Sequence, residues 1–270
     1  MCQVFGVTAS GYYPWKNRGE SNREKENIFL LKKIKETYEL NRCVYGSPRI
    51  TQALHREAII CSQPRVARLM RANGIVAKTQ RKFKATTNSN HTLPVAADLV
   101  GQAFGVDGPN KLWVGDITYI DTDEGWLYLA KVMDAYNREI IGWAVDKRMT
   151  KDLVIKAMDR AIRKRRPTES PIFHSDRGSQ YASYAFRRLL VNNHIRQSMS
   201  GKGNCYDNAM AESFFKTLKT ELIYQNKYQT RQEAKQDIFE YIEVFYNRQR
   251  LHSALGYKTP IEYGKLTKVA

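Results

Sequence analysis

The sequence predicts an α/β fold: a mixed five-stranded sheet flanked by helices, preceded by a small helical domain. Three observations predict it. Residues 22–74 carry apolar residues at helical spacing, interrupted by Gly46-Ser47-Pro48 and closed by Asn73-Gly74. From Lys111 the pattern changes to β-branched and aromatic runs joined by short turns. After residue 150, helical and strand patterns alternate, and a meander followed by such alternation describes a mixed sheet.

Residues 1–20, punctuated by Gly11, Pro14 and Gly19, read as irregular. A first helix is expected over about 22–40, with Ile28, Leu31, Ile34 and Tyr38 as its apolar stripe. A second starts with Ser47 as N-cap and Pro48 in its first turn, and holds Ile50, Ala53 and Leu54. A third follows Ser62, with Pro64 near its start and Val66, Leu69 and Met70 inside. Two short helices joined by a turn, the last carrying Arg65, Arg68 and Arg71, fit a helix-turn-helix DNA reader. The plainer alternative is a three-helix bundle with a basic surface. We therefore expect a helical DNA-binding domain at 1–80 and a basic linker at 81–105. Residues 106–270 are expected to form the sheet-bearing core with a C-terminal helical extension.

Within that core, Leu112–Ile120, Trp126–Met133 and Ile140–Val145 read as an antiparallel meander, with Asp121–Gly125 as the first turn. A helix at about 150–165 and a short strand at Pro171–His174 come next. A helix at about 181–193 and a strand near Ile195–Met199 follow. Ser198–Lys219 runs from a Gly-rich loop into a helix that Asp207 or Asn208 can cap. A long helix at about 230–250 presents Ala234, Ile238, Tyr241, Ile242 and Phe245. Trp113, Trp126 and Trp143 read as core, leaving the aromatic content with no need of a base-stacking explanation.

Forty-four Lys and Arg face 27 Asp and Glu, a formal charge of +17 in 270 residues. Such an excess points to a polyanionic partner, and nucleic acid is favoured over a membrane surface. The sequence has no apolar run of bilayer length and no lipidation motif. Cys2, Cys43, Cys61 and Cys205 are scattered, so they support neither a zinc knuckle nor a disulfide framework. Reduced thiols and the absence of a basic leader at Met1–Val7 give a cytoplasmic expectation.

Three carboxylates stand where such a sheet brings them together: Asp116 in the first strand, Asp176 ending the fourth, and Glu212 near a helix start. Lys216 and Lys219 follow Glu212 on the same helix face. Open α/β sheets hold ligands at the carboxyl ends of their strands. Mg²⁺ takes oxygen ligands and keeps room for substrate phosphate. Two ions about 3.5–4 Å apart suit an in-line displacement at phosphorus. Taken singly, each acid reads as a strand-edge charge, a turn former or a surface helix residue; their joint spacing favours a site. Lys202, in the Gly-rich loop, is expected near DNA phosphate. Asp134 reads as a turn or structural acid, and His174 and His252 as packing or hydrogen-bonding residues.

Trp113–Ile120, Phe173–Tyr181 and Asp207–Phe215 resemble the three active-site motifs of bacterial insertion-sequence transposases with a retroviral-integrase-like core. Asp176 and Glu212 have thirty-five residues between them, the spacing of this Asp-Asp-Glu superfamily. Lys219 matches the family's basic residue seven positions after the glutamate, and Tyr246–Tyr257 with Pro260 resembles its C-terminal signature. The resemblance implies an RNase H-like core and Mg²⁺-dependent cleavage at the ends of double-stranded transposon DNA. It also implies strand transfer into target DNA by a free 3′-hydroxyl, with Asp116, Asp176 and Glu212 as metal ligands for two ions and Mn²⁺ as a substitute. Lys219 is implied as a contact to the transposon end. A homo-oligomer on DNA is implied, as is fusion to, or association with, an upstream-frame helix-turn-helix and coiled-coil protein. The retroviral His/Cys zinc domain is missing, which places the likeness in the bacterial branch. The alternatives are a DNA-binding regulator of transposition, inactive without the upstream-frame partner, and a nuclease of the same fold that only hydrolyses.

Overall fold

The computed structural model describes residues 4, 6–78, 94–101, 103–201 and 209–266. Lys202 and the capping candidates Asp207 and Asn208 lie outside the described residues. The chain divides into two compact units, Met1–Lys78 and Thr79–Ala270. Among the described residues no helix is long and apolar enough to cross a membrane.

In the first unit, α1 (Ala9–Lys16) forms where irregular chain was expected, because the Thr8 hydroxyl accepts from the Gly11 N–H at 3.2 Å and caps it. α2 (Asn22–Leu40) opens on a capping box: Ser21 Oγ accepts from the Glu24 N–H, and Glu24 Oε2 accepts from the Ser21 N–H. Its buried face is Leu30, Ile34 and Thr37, while Ile28 is exposed. The expected stripe was therefore rotated, because Asn27 and not Ile28 faces the neighbouring helix, where it accepts from Arg65. α3 (Ser47–Arg56) begins one residue earlier than expected, with Gly46 at the cap, and α4 (Gln63–Ala72) follows Ser62. Ile50, Leu54, Val66 and Met70 meet Leu30 and Ile34 in a small core. Each fully buried aliphatic side chain contributes roughly 1.5–3 kcal/mol there.

The second unit holds a five-stranded sheet in the order β3-β2-β1-β4-β5. β1 (Leu112–Ile120), β2 (Leu127–Asp134) and β3 (Ile140–Asp146) form the antiparallel meander. β4 (Ile172–Ser175) and β5 (Arg196–Met199) add in parallel on the far side of β1. β1 is thus the central strand. α5 (Lys151–Arg165) packs Leu153, Val154, Ala157, Met158 and Ala161 on one sheet face. Gly142 of β3 allows this close approach, since a Cβ there would lie 2.2 Å from the Ala157 carbonyl oxygen and 2.6 Å from the Ala161 nitrogen.

The helix expected at 181–193 is two helices, α6 (Ser179–Ala182) and α7 (Tyr184–Asn192). Ser183 is extended between them, and its hydroxyl accepts from the Phe186 N–H, capping α7. α8 (Ala209–Glu221) lies over the other sheet face. Lys131, which alternates with the α5-facing Ala130 and Val132, meets the α8 rings of Phe214 and Phe215. α9 (Arg231–Phe239) continues as a π-helical stretch through Glu240–Tyr246, so the expected long helix changes pitch part-way. It covers the edge strand. Asn247 Oδ1 accepts from the Ile140 N–H at 2.9 Å and Nδ2 donates to the Ile140 carbonyl at 3.0 Å, pairing backbone that an edge otherwise leaves open. α10 (Pro260–Leu266) closes the described chain.

Candidate active site

The parallel register explains how two acids sixty positions apart come level. Leu112 pairs with Ile172, Trp113 with Phe173 and Val114 with His174. Two residues beyond the last pair on each strand stand Asp116 and Asp176. Gly115 makes room for the junction: a Cβ there would lie 2.2 Å from Phe173 Cζ. Asp116 Oδ1 accepts from the Ile117 N–H at 2.8 Å, and Asp176 Oδ1 accepts from the Gly178 N–H at 3.0 Å. Each carboxylate is therefore oriented by the backbone immediately after it.

Glu212 arrives from the first turn of α8 and keeps solvent access. Asp116 and Glu212 each have a neighbouring acid among the causes of their shifts. Burial raises the Asp116 pKa most, and Asp176 and then Glu212 add to it against the opposing Lys131 charge and the Ile117 N–H. Burial and then Asp176 raise Glu212. Tyr181, buried in the core, is raised by burial and then by both Asp116 and Asp176. Among the described residues, no three His, Cys, Asp or Glu side chains are gathered tightly enough to hold a metal ion as they stand. The donor chemistry still fits a hard divalent cation: the candidate ligands are all carboxylate oxygens, and a cation between them relieves their mutual repulsion.

Lys131 is the residue that sequence reading missed. It sits on β2 directly across from Asp116, 1% exposed, and among the described residues its Nζ has no hydrogen-bond partner. Burial lowers its pKa, with Asp116 opposing. A charged residue inside the otherwise apolar run Leu127–Met133 was the available signal, and counting pairs back from the Asp121–Gly125 turn identifies its partner.

Integrase core domain families match residues 106–205 and 212–267, and an HTH-like domain family matches 24–83. The insertion element IS600 uncharacterized 31 kDa protein of Shigella sonnei is 48% identical over 263 residues, covering 97% of both chains. The transposase InsF for insertion sequence IS3A of Escherichia coli K12 is 40% identical over 265 residues, covering 97% of this chain and 92% of that protein. The chain belongs to the insertion-sequence transposases with an integrase core domain. A simian T-cell lymphotropic virus intasome, solved with PP2A regulatory subunit B56 gamma, aligns at 18% identity and a TM-score of 0.49. That alignment covers 86% of this chain and 74% of the viral one.

The transposase is thus a DNA-acting polynucleotidyl transferase, with a DNA-binding HTH-like segment and an RNase H-like core. Its other expected site residues are placed unequally. Lys216 is exposed on α8. Lys219 is not on that exposed face: it is 7% exposed, with Nζ 4.7 Å from the centroid of the Tyr119 ring. The C-terminal half of α8 sinks into the core beside Leu218 and Leu222, carrying Lys219 with it. Burial lowers the Lys219 pKa and Asp116 opposes the shift. Arg68 and Arg71 are exposed on α4. Arg65 instead braces the bundle, with Nε donating to Asn27 at 2.9 Å and Nη2 to Glu26 at 3.0 Å. Asp134, across from Trp113 and three positions along the sheet from Asp116, accepts from the Asn110 and Tyr136 N–H groups and pairs with Arg165, a structural role. His174 bonds Ser198 Oγ at 2.9 Å inside the core. That same hydroxyl accepts from the Leu99 N–H, pinning part of the segment read as a linker to the sheet.

Proposed function

We propose that Asp116, Asp176 and Glu212 hold two Mg²⁺ ions, replaceable by Mn²⁺, and that the transposase cuts DNA at the ends of its insertion sequence and joins the freed end to target DNA. The observation that carries this reading is geometric: the β1–β4 register brings Asp116 and Asp176 level, and Glu212 opens α8, the helix over the sheet face that Lys131 shares with Asp116. Bound ions supply activation of the attacking oxygen and stabilisation of the leaving one.

In the first step a water oxygen bonds to phosphorus as the 3′ oxygen leaves, exposing a 3′-hydroxyl. In the second, that hydroxyl oxygen bonds to phosphorus in target DNA and the oxygen of the target strand leaves. Each step trades one P–O bond for another, so no bond to protein is needed. Asp116 and Asp176 come oriented by the backbone N–H groups they accept from, which supports their role as fixed ligands. Glu212, solvent-accessible at the head of α8, is the ligand best placed to meet incoming DNA. Lys216, Lys219 and Lys202 are assigned to phosphates of the transposon end, and Arg68 and Arg71 to DNA at the helical unit. We further assign the active form to an oligomer on DNA, in the cytoplasm at nucleoid DNA, with an upstream-frame helix-turn-helix and coiled-coil protein as fusion partner or associate.

The test incubates the chain, alone and fused to any upstream-frame protein from its locus, with labelled end DNA and Mg²⁺. Wild type and Glu212→Gln are compared. Joined strands from wild type alone are expected. Cleaved but never joined strands would mean a hydrolytic nuclease. Binding with no Mg²⁺-dependent product in either form would sink the catalytic assignment in favour of a DNA-binding regulator.

A further inference from the structure

Trp126 overturns its expected place in the core: it is 48% exposed. Its turn is braced on several sides. Thr122 Oγ1 donates to the Gly125 carbonyl at 2.6 Å, and the Asp123 N–H donates to the Tyr228 carbonyl at 3.0 Å. Arg231 Nε donates to the Trp126 carbonyl at 3.1 Å, and Arg231 Nη2 to the Glu124 carbonyl at 2.6 Å. A large aromatic surface shown to solvent on a fixed turn has already lost the freedom that binding would otherwise take from it.

The ring has neighbours of the right kind. Trp126 meets Tyr119 edge to face, with centroids 5.0 Å apart and planes at 85°. Tyr224, 42% exposed, has its hydroxyl pKa raised by burial and then by the Tyr119 hydroxyl. The Lys219 ammonium stands over the Tyr119 ring. Tyr119 follows Asp116 by three residues, about 10 Å along β1, an odd step that starts its side chain from the other face of the strand; Lys219, over the Tyr119 ring and under the influence of Asp116, links the cluster to the candidate carboxylates. Aromatic faces beside a cation that also senses Asp116, on a protein of charge +17, complement one ligand: a nucleobase next to its phosphate.

We propose that Trp126, with Tyr119, stacks an unpaired base of the DNA strand whose reacting phosphodiester lies at Asp116, Asp176 and Glu212. The inference rests on the placement of the reacting phosphate given under the proposed function. Stacking needs an open base face, which a paired duplex hides, so the subsite holds a frayed or melted nucleotide and tolerates any base.

The test uses the full chain carrying Glu212→Gln, so that no probe is cut. One probe is a duplex with a short unpaired end containing 2-aminopurine; the other is the fully paired duplex. Trp126→Ala should weaken binding to the unpaired probe about tenfold, remove the 2-aminopurine quenching, and leave the paired probe almost unaffected. Trp126→Phe should retain most of both signals. Equal losses on the two probes, or quenching that survives Trp126→Ala, would overturn the proposal. So would a Trp126→Phe chain that melts like its parent yet binds like the alanine variant. A change in sedimentation on Trp126→Ala without DNA would reassign the ring to contact between copies of the chain and likewise overturn it. The readout is binding, so a failure of the cleavage assay would be seen separately from a failure here.

Discussion

Glu212 has its carboxyl held above the ordinary value by burial and by Asp176. The sign follows directly. The folded chain keeps that proton more tightly than the unfolded one, so ionisation costs the folded state stability as pH rises above 4.5. Without divalent ions, Glu212→Gln should melt above wild type at neutral pH, and the gap should close as pH falls below that value. Adding Mg²⁺ should reverse the order, because the ion binds and stabilises the folded wild type more than the variant. Circular-dichroism melts across pH, with and without Mg²⁺, read both effects. At this scale the acids were legible because their motifs name them. Lys131 was not found because reading each strand alone hides what lies across the hairpin. Lys219 shares a helical face with Glu212, but how deep that face goes depends on where α8 enters the core. Trp126 looked like core because an apolar residue in a strand pattern does not reveal that its end of the sheet is uncovered.

α8 is anchored by its last residue. Arg250 donates to both Glu221 oxygens, at 2.6 Å from Nη2 and 2.8 Å from Nε, and Tyr241 Oη donates to Glu221 at 2.7 Å. Both members of the ion pair are buried. Arg250→Met should cost roughly 3–5 kcal/mol in denaturant unfolding, because it strands a buried carboxylate. Arg250→Met with Glu221→Gln should recover part of that loss. A single-variant loss near zero would show that the pair does not hold α8. Elements with strong periodicity were legible: β1 is Leu112–Ile120 as the residue pattern says, and α2 spans Asn22–Leu40 as the helical spacing says. The break at Ser183 and the π-helical pitch after Phe239 were not, because apolar spacing alone continues across both. The local hydroxyl cap and the fit of Tyr241, Phe245 and Asn247 against the core and β3 decide them.

For the whole molecule, a charge of +17 makes DNA binding an ion-exchange reaction. Affinity should fall steeply with salt, and Arg68→Ala with Arg71→Ala should flatten the log–log slope by about 2 if each arginine neutralises one phosphate. Filter binding across a salt series measures it, and an unchanged slope would remove both residues from the DNA interface. The central claim is that three acids, distant in sequence and drawn from three elements, form one divalent-ion site. It is tested most directly by counting Mn²⁺ bound to the full chain with transposon-end DNA, by electron paramagnetic resonance, in wild type, Asp116→Asn, Asp176→Asn and Glu212→Gln. Two ions per active site in wild type, with fewer or weaker ions in every variant, is the predicted result. Variants that bind Mn²⁺ in the same number and with the same affinity as wild type would contradict it.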